Sequence, residues 1–196
     1  MNDIIKTKIG RNRRLTRPFI LETSSKILDK ELDALPKPDG DIIKMMSLCG
    51  GVASASFIKF VADKEPIEEL TASTLRIGEK QFRYIEQLYK TGKLKGCRFF
   101  ISTMMKNVDS KTAKYNYSQR FFGTCQKNGW KCVVVNNHSK IILMRTAANY
   151  YVLETSSNLN ENPKIEQYSF ENSRQLYRFY YEFFDVLEAS VKPGEG

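Results

Sequence analysis

The order in which strand-like and helix-like patterns follow one another constrains this chain more than any other feature. Residues 96–105, GCRFFISTMM, read as a strand, and 110–129, SKTAKYNYSQRFFGTCQKNG, read as a helix. Residues 130–144, WKCVVVNNHSKIILM, read as one long, nearly all-apolar strand. Just upstream, 67–78 (IEELTASTLRIG) alternates like a strand, and 79–94 (EKQFRYIEQLYKTGKL) sets Phe82, Ile85, Leu88 and Tyr89 on one helical face, with a glycine placed to end it. Strand, helix, strand, helix, strand is the pattern of βαβ units, which need a sheet with parallel strands and helices packed on it.

The flanks extend the same plan. Residues 52–63, VASASFIKFVAD, alternate apolar with polar or small residues and read as a further strand. After the long strand come a strand over 150–159 (YYVLETSSNL), a short one over 165–170 (IEQYSF) and a closing helix over 173–190. Helical spacing of its apolar residues turns Leu176, Phe179, Phe183, Val186 and Leu187 inward. The fold class that results is α/β: a sandwich with a mixed, largely parallel sheet flanked by helices.

Residues 1–40 read as a basic arm with a short helix over 24–35 (SSKILDKELDAL), stopped by Pro36 and Pro38, and residues 41–196 as the main domain. The arm clusters Lys6, Lys8, Arg11, Arg13, Arg14 and Arg17 with no acid among them. The whole chain carries 31 Lys+Arg against 22 Asp+Glu, a formal charge of +9. Both features favour a polyanionic partner, since contact with phosphates releases condensed counterions. No apolar run approaches a membrane span, and no apolar segment follows the basic start, so the expected location is cytoplasmic with no membrane contact.

Four cysteines (Cys49, Cys97, Cys125, Cys132) without CxxC spacing, and a single histidine, offer no ordinary zinc-ligand set; the thiols read as reduced core residues. Gly50–Gly51 lacks the rest of any phosphate-loop motif and reads as a turn.

The histidine, His138, stands two residues before Lys140 within the long apolar stretch, and the next strand ends in Thr155-Ser156-Ser157-Asn158. An imidazole and an ammonium are costly to bury without partners, so a pair of them there points to a site. Residues two apart on a strand share a face, which makes His138 and Lys140 neighbours, and likewise Ser156 and Asn158. A nucleophile, a cation and amide or hydroxyl donors in one place suit phosphoryl chemistry.

HSK, then a strand, then TSSNL and PKIEQY, resembles the half-site of the phospholipase D superfamily, in particular its single-motif, nuclease-like members of phage and mobile-element type. The order of elements supports the resemblance over residues 67–188, and its specific motifs lie within 138–166. It implies a phospholipase D-like fold and a metal-independent, cofactor-free phosphodiesterase in which His138 attacks phosphorus. Lys140 and Asn158 would hold the nonbridging oxygens, Ser156 would stand beside them, and Glu166 would orient the imidazole. Two positions depart from the motif: Arg145 stands for its aspartate and Thr155 for its glycine. The reaction also needs two histidines, which implies a homodimer with the site shared by two chains. The expected substrate is nucleic acid, DNA before RNA, with the basic arm on the phosphate backbone. The alternative, favoured by Arg145 and Thr155, is a non-catalytic nucleic-acid-binding or assembly module with a degenerate site.

Overall fold

The computed structural model describes residues 8–12, 17–22, 34–47, 52–107, 117–160 and 164–191. In chain order these form β1 (Lys8–Asn12), β2 (Arg17–Glu22), β3 (Ile42–Ser47), α1 (Ser54–Ala62), β4 (Glu69–Thr74), α2 (Glu79–Lys90), β5 (Cys97–Ser102) and α3 (Met104–Asn107). They continue with α4 (Tyr117–Lys127), β6 (Lys131–Val135), β7 (Ile141–Arg145), β8 (Tyr150–Thr155), β9 (Glu166–Asn172) and α5 (Arg174–Ser190). The strands make one nine-stranded sheet in the order β1-β2-β3-β9-β8-β7-β4-β5-β6.

Helices cover the sheet on both faces, and the side-chain period of two sorts each central strand between them. On β5, Phe99 and Ile101 enter the larger core with Phe57 and Phe60 of α1, Phe82 and Ile85 of α2 and Phe121 of α4, while Phe100 enters the core under α5. Phe99 meets Phe121 edge-on at 5.2 Å, and Phe100 stacks on Phe184 at 4.6 Å. The same alternation sends Ile142 and Met144 of β7 one way and Leu143 the other. A strand covered on both sides is apolar throughout, which is why β5 and β7 carry little polar alternation.

The α/β class and the mixed, helix-flanked sheet stand as expected, but the parallel character is confined. β4, β5 and β6 run parallel, as do β2 and β3, whereas β3-β9-β8-β7-β4 is antiparallel throughout. The stretch 130–144 is also two strands. β6 joins the sheet edge beside β5, the chain breaks at 136–140, and β7 inserts on the far side of β4. Asn137 favours the break, because its side chain accepts from the nearby Ser139 amide and so competes with the ladder. His138 and Lys140 therefore belong to a loop and its junction with β7, not to a strand interior.

Two further expectations change. Residues 54–62 are helix, not strand: Phe57, Phe60 and Val61 fall at the i, i+3, i+4 positions of one buried face, and the alternating Ala53-Ser54-Ala55-Ser56 that precedes them imitated a period of two. The inward face of α5 carries Leu176, Tyr177, Tyr180, Tyr181, Phe184 and Leu187, while Phe179, Phe183 and Val186 are 57–71% exposed. Tyr180 and Tyr181 suit the inside because acids on the sheet receive their hydroxyls, Tyr180 donating to Glu154 and Tyr181 to Glu69 at 3.2 Å, whereas the Tyr177 hydroxyl is buried without a hydrogen-bond partner among the described residues. The helix expected over 24–35 falls almost wholly outside the described residues, as do Cys49 and Gly50–Gly51. Cys97, Cys125 and Cys132 are free thiols, the first two buried.

Candidate active site

Strand directions decide where polar residues collect. The carboxyl ends of β4, β5, β6 and β8 and the amino ends of β7 and β9 meet at one end of the sheet. There the apolar core gives way to buried Ser73, Thr74, Ser102, Ser157 and Glu166, all between 1% and 5% exposed. Buried hydroxyls and a carboxylate gathered at one end need partners: Ser102 accepts from the Met104 amide at 3.3 Å, and the others find theirs chiefly in two loops.

The first loop joins β6 to β7. Asn137 turns its side chain inward: Nδ2 donates to Ser73 Oγ and to the Phe100 carbonyl, both at 2.9 Å. Its Oδ1 accepts from the Ser139 amide at 2.9 Å and the Ser139 hydroxyl at 2.8 Å. Ser139 Oγ also lies 2.5 Å from Ser73 Oγ. His138, between these two anchored residues, is exposed. Lys140 folds back on it, with Nζ 2.8 Å from the His138 carbonyl and 3.3 Å from Nδ1. An ammonium only donates, so Nδ1 is the ring atom that accepts from Lys140 in this contact. Burial holds the Lys140 ammonium below its ordinary range, and the Glu166 carboxylate acts in the opposite sense.

The second loop follows β8. The Ser156 hydroxyl donates to Glu166 Oε2 and accepts from the Gln167 amide at 3.0 Å, and the Ser156 amide donates to the Gln167 carbonyl at 3.1 Å. Thr155 Oγ1 accepts from the Ser157 amide at 2.9 Å, so a side chain stabilises the turn where the motif has a glycine. Asn158 Oδ1 lies 3.5 Å from Thr74 Oγ1, whose hydroxyl donates to the Arg76 carbonyl and accepts from the Leu159 amide. With Oδ1 turned that way, Nδ2 is the end of Asn158 able to donate outward.

The two loops are tied together by the Thr155 amide, which donates to the Lys140 carbonyl at 3.1 Å, and by the charges of Lys140 and Glu166. Two helices begin at the second loop. Ser54, opening α1, donates to the Ser157 carbonyl at 3.0 Å, and the Gly78 amide, at the start of α2, donates to the Leu159 carbonyl at 2.6 Å. Amino ends of helices bring partial positive charge, which suits an anion.

Lys140, Ser156 and Glu166 thus stand together with His138 on Lys140, and Asn158 stands on the Thr74 side of the same loop. Arg145 is at the other end of β7, with Nη2 3.5 Å from Glu69 Oε2 across the β4–β7 pair, so its charge serves the sheet. Of the basic residues near the start, Lys8 and Arg11 lie on β1 and Arg17 opens β2; Lys6, Arg13 and Arg14 lie outside the described residues. Among the described residues no group of three metal-ligating side chains is found. No helix among them is long and apolar enough to cross a membrane. Sequence reasoning missed Asn137, Ser73 and Thr74; the one available signal was the polar end of β4 and an Asn-Asn pair interrupting an apolar run.

No protein-family model matches the chain, and no curated protein does. Solved structures do. The polyphosphate kinase of Porphyromonas gingivalis aligns over 72% of this chain with a TM-score of 0.53 at 12% identity. The phosphatidylserine synthase of Haemophilus influenzae aligns over 74% with a TM-score of 0.48 at 12% identity. TrmBL2, an archaeal chromatin protein with a novel mode of DNA binding, aligns over 76% with a TM-score of 0.42 at 7% identity. The chain spans 24%, 38% and 54% of these three proteins respectively. The fold is phospholipase D-like, a mixed α/β sheet with helices on both faces.

Proposed function

We propose that this chain is a single-motif member of the phospholipase D superfamily that cleaves phosphodiester bonds in nucleic acid without a metal, in a site completed by a second copy of the chain. The observation that carries the reading is the Lys140 ammonium on His138 at the polar end of the sheet, beside the Ser156–Glu166 pair. A phosphodiester competes for Lys140. As the ammonium moves to a nonbridging oxygen, Nδ1 is freed to hold the ring proton and the Nε2 lone pair can attack phosphorus. The N–P bond forms as the P–O bond to the leaving oxygen breaks, and that oxygen takes a proton from the partner's His138, which enters the step as imidazolium and leaves it as neutral imidazole. Water then attacks phosphorus, giving its proton to the same imidazole, and the N–P bond breaks. Asn158 assists Lys140 on the oxygens, while Glu166 holds Ser156 and offsets the lysine's charge. The chain has one histidine, so the second imidazole has to come from another copy.

Nucleic acid is preferred over lipid because the net charge of +9 and the cluster from Lys6 to Arg17 match a phosphate backbone. The deciding assay incubates labelled single- and double-stranded DNA and RNA with the protein in EDTA. Cleavage by the wild type and none by His138→Ala supports the reading. Binding without cleavage by either protein supports instead a non-catalytic nucleic-acid-binding module, the reading that the Arg145 and Thr155 departures favour.

A further inference from the structure

The side chain next to the histidine has more bonds than the histidine itself. Asn137 spans the end of β4, through Ser73 Oγ, and the backbone of β5, through the Phe100 carbonyl, and closes the loop on itself through both the amide and the hydroxyl of Ser139. Ser73 is 1% exposed, so the anchor point belongs to the rigid sheet. His138 sits between the two residues so fixed, and it is exposed, with Lys140 as its one side-chain contact among the hydrogen bonds described. An exposed imidazole with a single lysine contact has nothing else to define where its ring points. Its backbone therefore has to be held from the neighbouring positions.

We infer that Asn137 is a positioning residue, which clamps the loop so that the His138 imidazole is presented to a phosphodiester without Asn137 touching it. This rests on the function proposed above. A carboxamide suits the task because it donates two protons to the sheet and accepts two from the loop at once. Aspartate would keep the acceptors but lose both donors, and would set a carboxylate against the Phe100 carbonyl. Ser73, on a strand far from His138 in sequence, belongs to the same clamp.

Because the chain has one histidine, its imidazole gives a single set of NMR signals, which report the clamp independently of any activity. The test compares the wild type with Asn137→Ala, Asn137→Asp and Ser73→Ala, by those signals and by hydrolysis of bis-p-nitrophenyl phosphate in EDTA. In Asn137→Ala we expect the imidazole signals to shift towards those of free histidine and kcat to fall about 10- to 100-fold with KM within about twofold, the size of loss that a small misplacement of a reacting group produces. Asn137→Asp should not rescue it. Ser73→Ala, which keeps Asn137, should show a smaller change of the same kind and serves where Asn137→Ala fails to fold. Unchanged imidazole signals in a folded Asn137→Ala or Ser73→Ala protein overturn the proposal, as does an effect on KM alone. Wild-type inactivity, or activity retained by His138→Ala, overturns the underlying function instead and leaves the NMR comparison to decide the clamp.

Discussion

At the scale of single residues, the proposed chemistry is a competition for one ammonium. Lys140 is placed where His138 can hold it and where burial weakens its hold on its own proton, with Glu166 working against that loss. Only the protonated lysine can stabilise charge on a phosphoryl oxygen. Its deprotonation should therefore end activity on the alkaline side, at a pH below the 10.5 ordinary for lysine. Replacing it with arginine, which does not lose its charge in this range, should remove that limb from the pH–rate profile while lowering the rate, since a planar guanidinium does not place its donors as an ammonium does. An alkaline limb that persists unchanged in Lys140→Arg would assign the titration to another group.

At the scale of elements, α5 shows how a sheet chooses a helix face. Phe184 is 1% exposed against Phe100, whereas Phe179, one turn and more away, is 64% exposed. Phe184→Ala should destabilise the protein by about 3–5 kcal/mol, and Phe179→Ala should change stability by less than about 0.5 kcal/mol, as read from urea denaturation. Equal losses would mean that the outer face is also covered. From the sequence, helical spacing alone favoured the phenylalanines, because the acceptors that welcome tyrosine, Glu154 and Glu69, come from strands far away in the chain. Residues 54–62 differ for a local reason, their Ala/Ser spacing. β4, α2, β5, α4, β8, β9 and α5 were legible because each pattern is set by its own residues. The division of 130–144 was not, since β6 and β7 are both apolar and only their separate partners, β5 and β4, tell them apart. The candidate site was legible where one short motif carries it, at His138, Lys140, Ser156 and Glu166. Asn137, Ser73 and Thr74 were not, because their role depends on β4 lying between β7 and β5.

At the scale of the whole molecule, the proposed reaction uses two imidazoles and the sequence holds one histidine, so the proposal requires a second copy of the chain at the site. Mixing His138→Ala with wild-type chains should depress activity below the wild-type fraction, because mixed dimers lack either the nucleophile or the proton donor; strict proportionality would show that each chain works alone. The basic cluster from Lys6 to Arg17 is expected to add affinity and salt dependence without altering this count, since phosphate contacts position a protein but do not perform the chemistry. The claim on which the rest depends is that His138 itself attacks phosphorus. It is tested most directly by quenching turnover of a labelled oligonucleotide in EDTA with alkali, which preserves a phosphohistidine, and identifying the residue that carries the label. Label is expected on the peptide containing His138 in the wild type and none in His138→Ala. Label on another residue, or cleavage undiminished in His138→Ala, would contradict it.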